Sequence, residues 1–171
     1  MVIFAQPTIG TLLIGIAMVL GGEFLRLWSV AIAGSETRTT GPVGGTYLIT
    51  TGPFAYVRNP LYLGNIIIYT GVGVMANALT PWLAIGALIY FVFQYSLIVS
   101  LEEGYLASTF GDEFQRYCVA VPRFVPGWRR YVPGENPQPE LDWKEGMRSE
   151  SRTLQAIVLV TTVLIVFWAV G

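Results

Sequence analysis

Arg58, in the loop GPFAYVRNPLYLGN at residues 52–65, and the adjacent carboxylates Glu102 and Glu103 are the side chains of this sequence best placed for polar chemistry. Both segments lie where membrane-length apolar sequence gives way to charged sequence. Two neighbouring carboxylates at the edge of hydrocarbon cost desolvation energy unless they are paired, hydrogen-bonded or hydrated. One resolution is internal, with Arg58, Arg116 or Arg123 neutralising them. The other is a cationic or hydroxyl-rich ligand, since a carboxylate can accept two ribose hydroxyls. Successive residues diverge by about 100° around a helix, so one carboxylate can face the interior and the other solvent. Asn59-Pro60 reads as a helix start, with asparagine at the N-cap and proline at the first helical position. The unpaired amides of that helix start would favour an anion such as a carboxylate; alternatively, Asn59 does no more than cap the helix.

The composition narrows the chemistry further. Only 12% of the 171 residues are charged and 53% are hydrophobic, against roughly 25% charged in a soluble domain. With a mean hydropathy of +0.56, this is the composition of a membrane protein. The net charge of −1 provides no field for nucleic acid. One cysteine, Cys118, rules out an internal disulfide framework and a cysteine-built zinc site. With no histidine, the usual catalytic metal ligands and the histidine-activated nucleophiles are missing too, so no metal site is expected. What remains is carboxylate, arginine, tyrosine, asparagine and backbone chemistry.

Four apolar stretches, residues 8–32, 60–79, 81–101 and 154–170, are expected to cross the bilayer as helices. A hydrocarbon core requires about 20 helical residues, so the last must stand nearly upright or thin the bilayer. Thr80-Pro81 leaves room only for a tight helical hairpin between the second and third. All ten basic residues fall at the inner end of the first span or in the two long connections. The positive-inside tendency therefore places both connections in the cytoplasm and both termini outside. Ala31-Ile32-Ala33 has the look of a signal-cleavage site, but the segment lacks a basic n-region and its apolar run is too long. Glu23 and Arg26, spaced i,i+3, instead suit the end of a retained helix.

The first connection contains a short extended piece at Leu48, Ile49 and Thr50, ahead of a turn at Thr51-Gly52-Pro53. In the second, Leu101, Tyr105, Leu106, Phe110, Phe114 and Tyr117 keep a helical spacing, interrupted at Gly104 and Gly111 and stopped by Pro122. Trp128, Arg129, Arg130 and Tyr131 then suit the headgroup layer. Residues 135–151 are polar and read as a surface helix or partly disordered chain. Gly64 and Gly71 share one helix face, a pattern that permits close helix packing; Gly64 can also leave room for a ligand.

Taken together, the segments GGEFLRLWSVAIAG, LITTGPFAYVRNPLYLGN and LEEGYLASTFGDEFQRYCVAVPRFVP, in this order over residues 21–126, resemble the isoprenylcysteine carboxyl methyltransferase family. Phosphatidylethanolamine N-methyltransferase is a more distant likeness. The isoprenylcysteine enzymes carry Arg-His-Pro where this chain has Arg58-Asn59-Pro60; the phosphatidylethanolamine branch carries Asn-Pro. The last apolar stretch lies beyond the shared core and would line a substrate entrance or serve packing or oligomerisation.

The resemblance implies an all-α, multi-pass integral membrane bundle of four transmembrane helices with a cytoplasmic cofactor-binding cap. It further implies S-adenosylmethionine as cofactor and a lipophilic small molecule or lipid as methyl acceptor, met at the cytoplasmic face (of the inner membrane, in a bacterium). Tyr47, Leu48, Thr50, Asn59, Tyr62 and Gly64 would then shape the cofactor site, and Glu102 or Glu103 would bind the ribose or offset the sulfonium. Phe110, Glu113, Tyr117 and Arg123 would close over it. Arg58 or Arg123 would orient a carboxylate acceptor; an amine would need Glu102, Glu103 or Glu113 as base. Two other readings stay open: an NADPH-dependent membrane reductase of the sterol-reductase type, and a non-catalytic lipid-binding protein.

Overall fold

The computed structural model describes residues 4–34, 48–79, 81–134 and 137–170, and among these the regular structure is entirely helical. Helix α1 spans Ile9–Ala33, α2 Pro60–Ala76, α3 Trp82–Ala120 and α4 Trp143–Val170, with a 3-10 turn at Gly52–Ala55 before α2. Helices α1, α3 and α4 are long and apolar enough to cross a membrane, and the chain is a membrane protein. Helix α2 is apolar but shorter, at 17 residues, or about 25 Å at 1.5 Å per residue.

Helix α2 stops three residues short of the expected end because the chain turns left-handed at Asn77 and Leu79, with φ of 47° and 50°. Asparagine tolerates that conformation better than most residues. Its N–H is held by the Gly73 and Val74 carbonyls, and its side-chain amide donates to Gln6 O at 2.9 Å. Thr80, the expected hairpin residue, lies outside the described residues.

The chain divides into two compact units. One comprises the described parts of Met1–Phe24, Gly64–Gln94 and Ser151–Gly171. Its core holds Leu12, Val19, Ile68, Met75, Ala76, Ala78 and Leu164. Two glycine pairs bring α1 and α2 into backbone contact. A Cβ on Gly15 would lie 2.5 Å from Gly71 O and 2.3 Å from Met75 Cγ, and one on Gly71 would lie 2.9 Å from Gly15 O. One on Gly22 would meet Gly64 O at 2.8 Å. The shared face of Gly64 and Gly71 is thus used for packing, against glycines that are themselves seven residues apart. Gly15→Ala is expected to lower stability by about 1–3 kcal/mol, because backbone as well as Met75 must give way; the thermal midpoint in detergent reads it.

The other unit comprises the described parts of Leu25–Leu63 and Tyr95–Glu150. Leu48, Phe114, Tyr117 and Val121 form its buried cluster, flanked by Leu106, Phe110, Cys118 and Tyr131. Helix α3 continues through Glu102 and Gly104 and breaks at Gly111, whose φ of 49° and ψ of −123° suit glycine. Gly52, at φ +58°, is constrained twice: a Cβ there would lie 2.0 Å from Ile32 Cδ1. Tyr131 does not turn outward to headgroups. Its ring packs edge-on to Tyr117 at 5.3 Å, and its N–H donates to Ala55 O. Trp128 is fully exposed.

The polar stretch before the last apolar segment is largely helix. Asp142 caps α4, its Oδ1 accepting from the Lys144 and Glu145 amides at 2.9 and 3.0 Å. The Asp142 N–H donates to Ala31 O at 2.7 Å, and Gly146 packs so closely on Ala31 that a Cβ would sit 3.0 Å from it. Four residues on, buried Glu150 accepts from Arg26 Nη2 at 2.7 Å.

Candidate functional site

Helix α2 and the loop before it place Arg58, Asn59 and Tyr62 against the middle of α3 and the turn that follows it. Glu102 and Glu103 take different partners, as their divergence around a helix requires. Glu103 accepts from Arg58 Nε at 3.0 Å through one oxygen and from Arg123 Nε at 3.1 Å and Nη2 through the other. Glu102 accepts from the Tyr62 hydroxyl at 2.5 Å through Oε1. Its Oε2 has no hydrogen bond to a described residue.

Arg58 does more than pair. Its Nη1 donates to Cys118 O at 2.8 Å and Val121 O at 3.0 Å, satisfying carbonyls at the end of α3, and its N–H donates to Pro122 O. Asn59 precedes α2 as expected, and its carbonyl accepts the Leu63 N–H. Its side chain does not cap the helix; Nδ2 donates to Arg123 O at 3.2 Å. The two arginines, Glu103 and Asn59 therefore form one network that fixes the chain from residue 118 to 123 against the start of α2. Arg116, the other candidate neutraliser, bonds back to Asp112 O on its own helix instead.

Around this network the unit is well packed. Tyr117 donates to Phe54 O at 2.7 Å, and burial pushes its phenol above the ordinary range. Burial likewise raises the Cys118 thiol, with Arg58 opposing, so Cys118 is poorly suited to act as a thiolate. Tyr117 is buried in the cluster and half-buried Phe110 packs against it. Glu113 is half-buried and has no hydrogen bond or ion pair to a described residue. Gly64 belongs to the other unit, against Gly22. Tyr47 lies outside the described residues.

Leu48 and Thr50 are buried, and a single side chain serves both: Gln138 Oε1 accepts the Thr50 N–H and its Nε2 donates to Leu48 O, each at 2.9 Å. The Thr50 hydroxyl has no hydrogen-bond partner among the described residues. Nothing in the local sequence around Gln138 signals that contact, which spans 88 to 90 residues.

Long apolar helices, with an arginine–carboxylate network where apolar sequence ends, define a helical membrane protein whose polar groups gather in one unit. The phospholipid methyltransferase family model matches residues 11–113, more than half of the chain. The chain belongs to that family of membrane methyltransferases. It is 32% identical over 127 residues to the cobalt-zinc-cadmium resistance protein CzcN of Cupriavidus metallidurans, covering 72% of this chain and 51% of that protein. Over 79 residues, 46% of this chain, it is 34% identical to the protein-S-isoprenylcysteine O-methyltransferase of Schizosaccharomyces pombe and to methanethiol S-methyltransferase 1 of Bradyrhizobium diazoefficiens. That stretch covers 33% and 26% of those two enzymes. The chain thus spans about half the length of the first of these relatives, and a third or less of the other two is matched. No solved structure matches it.

Proposed function

We propose that this chain is an S-adenosylmethionine-dependent methyltransferase acting on a lipophilic acceptor at the cytoplasmic membrane interface, with all four helices crossing the bilayer. The observation that carries the reading is the division of labour between two neighbouring carboxylates inside the family match. Glu103 is consumed by Arg58 and Arg123, whereas Glu102 is aimed by Tyr62 and keeps one oxygen open among the described residues. Thr50 adds a buried hydroxyl with spare bonding capacity. These groups fit a ribosyl sulfonium, which offers hydroxyls to a carboxylate and a positive charge to offset.

S-adenosylmethionine supplies an electrophilic methyl group that needs no metal and no redox partner. The chain's task is then to bind, align and exclude water, and alignment alone can remove much of the barrier. Glu102 holds the ribose or faces the sulfonium; Leu48, Thr50, Asn59 and Tyr62 shape the surrounding wall. Glu103 acts one step removed, by setting Arg58 and Arg123. A carboxylate acceptor would be oriented by either arginine and would need no base. An amine acceptor would lose a proton to Glu102 or Glu113, the carboxylates not already committed to arginine.

Calorimetric titration of the detergent-purified protein with S-adenosylmethionine, beside S-adenosylhomocysteine, tests this reading. Wild type is expected to bind, and Glu102→Ala to bind at least ten-fold more weakly with an unchanged thermal midpoint. Unaltered affinity in that variant would remove Glu102 from the site, and a wild type that binds no S-adenosyl compound would overturn the proposal.

A further inference from the structure

We infer that Gln138, in the connection ahead of α4, is a positioning residue for the cofactor wall at Leu48–Thr50; the inference rests on the methyltransferase reading above. Consecutive odd or even residues of an extended chain present their N–H and C=O groups along the same edge. Leu48 O and Thr50 N are such a pair, and a glutamine carboxamide carries the complementary acceptor and donor. With both bonds at 2.9 Å, Gln138 does with one side chain what a neighbouring strand would do with its backbone.

Two features argue for a dedicated peg. Gln138 lies between Pro137 and Pro139. Proline fixes its own φ, and Pro139 holds the preceding residue in extended conformation, so Gln138 loses little freedom on docking. The stretch it grips is buried, with Leu48 4% and Thr50 2% exposed, and buried backbone groups left unpaired are costly. Without Gln138, Leu48 O and Thr50 N have no other hydrogen bond among the described residues. Gln138 also lies outside residues 11–113, the part matched to the family. Among the described residues, the segment leading to α4 thereby supplies the hydrogen bonds along this edge of Leu48–Thr50.

Gln138→Ala and, as a control, Glu140→Ala at an exposed neighbouring position test this by amide hydrogen exchange and by titration with S-adenosylhomocysteine. Expected for Gln138→Ala are accelerated exchange at the Thr50 amide and a loss of affinity of about ten-fold, with exchange in α2 and α3 unchanged. Glu140→Ala should match wild type in both. Gln138→Glu keeps the acceptor for Thr50 but turns an anionic oxygen toward Leu48 O, and should be no better than alanine. Unchanged Thr50 exchange in Gln138→Ala, or affinity within two-fold of wild type, overturns the inference. A general rise in exchange across α3 also overturns it, since the residue would then support the whole unit rather than the wall. Failure of the wild type to bind would instead overturn the methyltransferase reading, and the cofactor role of Gln138 with it.

Discussion

Glu103→Ala is expected to lower stability by about 3 kcal/mol, the range seen when one partner of a largely buried ion pair is removed. The variant leaves Arg58 and Arg123 side by side without their shared carboxylate. Arg58 is 13% exposed and cannot simply turn to water, whereas Arg123, at 37%, can partly do so. Arg123→Ala should therefore cost less than Glu103→Ala. Glu103→Gln should fall between wild type and alanine, because an amide oxygen still accepts one guanidinium but brings no charge. Thermal melts in one detergent, run beside Glu102→Ala, provide the check. A loss at Glu102 equal to that at Glu103 would contradict the distinction between a structural and a ligand-facing carboxylate.

A second large loss, again about 3 kcal/mol, is expected for Glu150→Ala. Glu150 is 1% exposed and its Arg26 partner 14%, so the arginine left behind is a buried charge rather than a solvated one. The pair's own contribution differs from the cost of breaking it. Arg26→Met combined with Glu150→Leu removes both charges and keeps the volume, and should recover most of the lost stability. If the double variant melts no higher than Glu150→Ala, packing rather than charge is what Glu150 provides.

Local signals in the sequence located the helices well and their partners poorly. Pro60 marks the observed start of α2, Gly111 breaks α3, and Pro122 follows its end, because proline and glycine act on the backbone wherever they stand. Gly104 was expected to interrupt α3 and does not; a helical glycine costs only about 1 kcal/mol relative to alanine, which the surrounding apolar turns override. Helix α4 begins at Trp143 rather than 154, since charged residues 144–152 join a helix once Asp142 caps it. The residue types of the candidate site could be listed from the sequence. Which carboxylate meets which partner could not, because Arg58 to Glu103 and Tyr62 to Glu102 are contacts across 45 and 40 residues. Tyr131 illustrates the same limit: its neighbours suggest an interfacial aromatic, and only the cluster around Tyr117 explains its inward turn.

The Arg26–Glu150 pair also sets a timetable. The two residues are separated by 124 positions, and at translation rates of 5–20 residues per second the arginine emerges roughly 6–25 s before its carboxylate. Throughout that interval the nascent first helix carries a cation whose Glu150 counter-charge has not yet been made. The pairing of that cation with Glu150 therefore waits on the synthesis of α4.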